Sequence, residues 1–208
     1  MTATDVTIIQ PEWVPPNLRF EIEDCTKPWT FEPASFDYIH MRFLIGIPDW
    51  AALMREAFKA LKPGGWVESF EGSVHIKSDD GTVTKEMALG QWGDIFIEGS
   101  HKFGRSFALH EDGTVRAALE AAGFVDIEER DFKTPIGGWA KDPKLKKLGQ
   151  YTELGFLTDP KGYMLFLARD QGWSIKDIEF YLAFFRRELR DPKIHPYYSQ
   201  KVIWARKP

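Results

Sequence analysis

The sequence predicts an α/β fold built on parallel strands, and three observations carry that reading. A strand, an amphipathic helix, a glycine turn and a second strand follow one another between residues 36 and 71. The order helix, glycine, strand recurs between Thr114 and Glu128. At 208 residues and 43% hydrophobic composition the chain can bury one sizeable core, and a single domain over 1–208 is expected. Strand, helix and tight turn in this succession are what right-handed crossovers between parallel strands require.

Leu18 to Asp24 alternates apolar and polar residues at period two after the breaker Pro15-Pro16-Asn17, which predicts a strand ending on the acid Asp24. Phe36 to Met41 is mostly apolar and is expected to be a central strand covered on both faces. From Asp49 to Leu61 the residues Trp50, Leu53, Met54, Ala57, Phe58 and Leu61 fall on one helical face. Asp49 is the expected N-cap, and Lys62-Pro63-Gly64-Gly65 is the expected stop. Trp66 to Glu71 then reads as a strand.

Thr114 to Ala122 is a second helix, turned by Gly123 into a strand over Phe124 to Glu128. Two helical insertions are expected, at about 84–110 and 140–192. The first carries Trp92, Phe96, His101, Phe103, Phe107 and His110. In the second, Ser174 caps a helix expected to bury Ile175, Ile178, Phe180, Tyr181, Leu182, Phe184 and Phe185. Tyr198 to Arg206 reads as a last strand, antiparallel and near an edge.

Composition excludes several functions. A net charge of -4 opposes the broad basic face that a nucleic acid requires. The single cysteine, Cys25, cannot make an intrachain disulfide, and the first residues show no signal peptide, so the cytoplasm is expected, with the nucleus as the other compartment. His75, His101, His110 and His195 lack zinc-ligand spacing, so no metal is expected. His101 and His110 are instead candidate general bases, since imidazole titrates near neutral pH. Glu68 and Glu71 are either pocket carboxylates or solvated ones.

Parallel α/β sheets bind ligands at the carboxyl ends of their strands, which is where Asp5, Asp24 and His40 are expected to converge. The stretches Thr4 to Asn17, Phe20 to Asp24 with Pro28-Trp29-Thr30-Phe31, Ser35 to Arg42, and Leu61 to Glu68 together resemble the fungal LaeA-like methyltransferases of secondary metabolism. That resemblance implies a Rossmann-like class I fold with strand order 3-2-1-4-5-7-6 and S-adenosylmethionine as cofactor. It also implies a small-molecule metabolite as methyl acceptor. Asp5, with Val6 after it, then corresponds to the acid that grips the ribose hydroxyls. Asp24 and Cys25 match the position that reads the adenine edge, and His40 the segment facing the methionine part and the acceptor.

The family's first strand and its Gly-x-Gly-x-Gly turn have no counterpart in this sequence. Strands two and four of the family order are therefore expected to expose unpaired backbone groups. A missed exon or start codon, a degenerate remnant and a shortened non-catalytic protein are three explanations of that departure. The functions compatible with the sequence are methyl transfer, a catalytically inactive accessory role with a protein partner in a biosynthetic pathway, and a repurposed non-methylating reaction.

Overall fold

The computed structural model describes residues 1–7, 13–102 and 104–208, with 101 and 102 described by backbone alone. The strands are β1 (Thr2–Asp5), β2 (Arg19–Ile22), β3 (Phe36–Arg42), β4 (Leu61–Lys77), β5 (Val125–Pro135) and β6 (Tyr197–Arg206). The helices are α1 (Trp50–Ala60), α2 (Ala88–Lys102), α3 (Thr114–Ala122), α4 (Pro143–Thr158), α5 (Pro160–Asp170) and α6 (Ile175–Leu189).

The strands form two sheets, β1-β2 and β3-β4-β6-β5. β1 and β2 are parallel, as are β3 and β4, while β6 runs antiparallel between β4 and β5. In the class I order 3-2-1-4-5-7-6, the first sheet supplies positions 3-2 and the second 4-5-7-6. Among the described residues β1 pairs only with β2 and β3 only with β4. Each therefore presents an open edge, as expected for strands two and four of that order.

That edge corrects one expectation. β3 is not central, and along it only Met41 is buried. Ile39 and Met41 face the helices α1 and α3, whereas Tyr38, His40 and Arg42 alternate onto the opposite, exposed face.

α1 forms where its apolar spacing and its cap coincide. Asp49 accepts the backbone N–H of Ala52 at 2.8 Å, and Trp50, Leu53, Met54 and Ala57 are buried. The helix ends earlier than the glycines suggested, because Leu61 is already extended and opens β4. Gly64 then takes a positive φ of 78° within that strand, a conformation glycine adopts without strain. α3 matches its expected limits, closed by Gly123 at φ 91°.

Two cores result. One joins α1 and α3 to β3, β6 and the first half of β4. The other packs α2, α5 and α6 on the second half of β4 around Trp92 and Phe185, whose rings stack at 4.4 Å. Ser174 caps α6 in a capping box with Asp177. Its buried face is narrower than expected: Ile178, Tyr181, Leu182 and Phe185 are inside, but Ile175 is 47% and Phe180 67% exposed. Seven large apolar residues within eleven positions exceed what one helix face can bury. Among the described residues no helix is long and apolar enough to cross a membrane.

Candidate functional site

The parallel pairing of β1 and β2 sets Asp5 opposite Ile22, and Glu23 extends the ladder by donating its N–H to the Asp5 carbonyl at 3.0 Å. Both chains then leave the sheet at the same end. Asp5 Oδ1 accepts from the Thr7 N–H at 2.9 Å and the Thr7 hydroxyl at 3.1 Å. Asp24 repeats the arrangement with Thr26, at 2.9 and 2.6 Å. These Asx turns fix each carboxylate by one oxygen, and among the described residues the other, Oδ2, accepts no hydrogen bond.

The Thr26 hydrogen bonds hold the Asp24 carboxyl below the usual carboxylate range. Cys25, beside it, is half-buried. Burial raises its thiol, and the charges of Asp24 and Asp5 act in the same direction. Both carboxylates therefore lie close enough for their charges to reach the Cys25 thiol, while Val6 is exposed at 63%. The group is tied to the larger sheet through Trp29, whose N–H donates to Glu56 of α1 at 2.9 Å and whose indole N–H donates to the Cys25 carbonyl.

His40 occupies the open face of β3. Its Nδ1 lies 2.9 Å from Glu68 Oε1, the residue opposite it in register on β4. Tyr38 stacks on the His40 ring at 6.4 Å. Burial, followed by the charge and hydrogen bonding of Glu68, pushes the Tyr38 phenol up to about 12. Tyr38 shares the phase of His40 at period two, and that spacing is the signal in the sequence that joins it to this candidate site.

His110 lies elsewhere, between β5 and the turn before α3. Its Nε2 is 3.1 Å from Asp131 Oδ1, within ion-pair reach but at an angle that makes no hydrogen bond, and its Nδ1 is 3.7 Å from Glu111. The side chain of His101 lies outside the described residues. Among those residues, no group of three His, Cys, Asp or Glu side chains is placed to hold a metal ion.

Glu71 is not solvated. It is 3% exposed, takes the N–H of Leu44, has a long 3.4 Å contact from the Ser69 hydroxyl, and leaves Oε2 without a partner. Burial raises its carboxyl to about 7.

The methyltransferase-domain family matches residues 1–129. The chain belongs to that family. It is 35% identical over 210 residues to the secondary metabolism regulator LAE1 of Cochliobolus heterostrophus, covering 98% of this chain and 67% of that protein. It is 31% identical over 210 residues to the methyltransferase pytC of Aspergillus terreus, covering all of this chain and 64% of that protein. The chain thus spans about two thirds of the curated relatives it matches. Among solved structures, the phosphoethanolamine N-methyltransferase 2 of Haemonchus contortus aligns with a TM-score of 0.49 at 19% identity, over 92% of this chain and 37% of that one.

Proposed function

We propose that this chain takes part in S-adenosylmethionine-dependent methyl transfer to a small-molecule secondary metabolite, acting as one domain in the cytoplasm or nucleus. The observation that carries the reading is the pair of Asx-turned carboxylates, Asp5 and Asp24, at the carboxyl ends of two parallel strands. Each keeps one oxygen outside the hydrogen bonds of its own turn, which suits recognition of hydroxyl and amino donors on an adenosine. Asp5 and Val6 would hold the ribose, and Asp24 and Cys25 the adenine edge. His40, braced by Glu68, would border the methionine end.

The bound cofactor supplies an electrophilic methyl group on a sulfonium. The chain's own contribution is orientation of the acceptor, with His110 or His101 taking the acceptor's proton. The similarity to a protein named as a methyltransferase, pytC, supports methyl transfer as the reaction. The test is transfer of label from methyl-labelled S-adenosylmethionine to pathway intermediates by the protein and by its Asp5→Ala and Asp24→Ala variants. Label in the wild-type product, lost in both variants, is expected; no labelled product with any intermediate would count against the reading.

The relative named as a regulator of secondary metabolism favours a second reading, a non-catalytic role with a protein partner. Under it, metabolite output depends on the protein and survives both aspartate substitutions.

A further inference from the structure

The exposed ring of Phe180 belongs to a cleft of about 610 Å³ between the start of α2, the α5–α6 turn and α6. Four aromatic side chains line it: Trp173, Phe180, Tyr181 and Phe184. Trp173 and Tyr181 meet edge to face at 5.5 Å, as do Phe180 and Phe184 at 4.9 Å, so the four rings form two packed pairs along the cleft. Three carboxylates, Glu86, Asp177 and Glu188, share the lining, and no lysine, arginine or histidine does.

We propose that this cleft binds a small organic ammonium ion, an amine or quaternary ammonium with an apolar body. Aromatic faces attract cations through the ring quadrupole, and the attraction grows where water is partly excluded. Phe184 already shows this chemistry, with the Arg187 guanidinium 4.7 Å from its ring. Phe180 and Trp173 have no such intramolecular cation among the described residues.

The acids divide the work. Glu188 is spent internally, accepting the N–H groups of Ala88 and Leu89 at 3.2 and 2.9 Å and so capping α2. Tyr181 is likewise anchored, donating to the Ala88 carbonyl at 2.6 Å. Glu86 and Asp177 stand at the rim, and local hydrogen bonds, to Thr84 and Ser174 respectively, hold both below the usual carboxylate range. With Arg187 held on Phe184, the rings of Phe180 and Trp173 remain for a ligand, and the carboxylates of the lining favour a cation there over a neutral molecule of the same shape. The site shares no residue with the strand-end carboxylates and stands whether or not the chain transfers methyl groups.

The experiment is a titration followed by two-dimensional NMR of the protein's amide and indole N–H groups. The probes are choline and its uncharged carbon isostere 3,3-dimethylbutan-1-ol. Choline is expected to shift the Trp173 indole and the Phe180 and Phe184 amides saturably, with the isostere at least about tenfold weaker. Phe180→Ala, at a ring two-thirds exposed, leaves the fold intact and weakens choline by about fivefold; Glu86→Gln weakens it in the same direction. Absence of saturable shifts at these residues, equal binding of the isostere, or unchanged affinity in Phe180→Ala would each overturn the proposal.

Discussion

Replacing Glu71 by glutamine tests how the sheet end is built. The carboxyl is 3% exposed and one oxygen has no partner, so ionisation inside the protein is penalised and the group holds its proton up to about pH 7. The unfolded chain releases that proton near 4.5. A difference of about 2.5 in pKa corresponds to about 3 kcal/mol. Because the folded value is the higher one, the folded state binds the extra proton between the two values, and stability falls as pH rises through that window. Below 4.5 both states are protonated and the penalty vanishes.

Glutamine keeps the acceptor for the Leu44 N–H and cannot ionise. Urea unfolding of both proteins at pH 5, 6, 7 and 8 measures the gap between them. Glu71→Gln is expected to be the more stable at pH 8, with the gap about 2 kcal/mol wider there than at pH 5. Parallel stability curves, or a wild type that is more stable at pH 8, would refute the burial argument.

Three further outcomes follow from the packing. Asp49→Ala removes the side-chain acceptor for Ala52 at the start of α1 and is expected to cost about 1 kcal/mol in urea unfolding at neutral pH. Glu188→Ala strips two buried N–H groups of α2 of their partner, and a loss of about 2 kcal/mol is expected by the same measurement. Met54→Ala empties a fully buried position between α1 and the sheet, at a cost of about 2–5 kcal/mol read as a lower midpoint of thermal unfolding.

Local signals made much of the fold legible. The Asp49 cap and the spacing from Trp50 to Ala57 located α1, and Gly123 located the end of α3, because caps and periodicity act within one turn of chain. The position of β3 was not legible. An apolar-looking run such as Phe36 to Met41 does not say which neighbours it pairs with or what packs on each face; here one edge of β3 is unpaired and the face carrying Tyr38 and His40 is exposed. α6 misled for a related reason: seven large apolar residues gave no unique face, and the helix turned Phe180 outward.

At the candidate site, Asp24 was readable from its place at the end of an alternating strand, whereas Asp5 was singled out only through the family resemblance. The burial of Glu71 was readable in principle from its phase. It follows Val67 and Ser69 at period two, and all three are buried on the same face, opposite Glu68. What the sequence does not carry is contact between separated segments. The Glu68 brace on His40 depends on the β3–β4 register, and the enclosure of His110 depends on where β5 passes.

Calorimetric titration of S-adenosylmethionine and S-adenosylhomocysteine into the purified chain, with Asp5→Ala alongside, tests most directly whether the strand-end carboxylates form a cofactor site. Saturable binding that is lost in the variant is the predicted result; a folded protein that binds neither compound, or an Asp5→Ala variant that binds as well as the wild type, would contradict it.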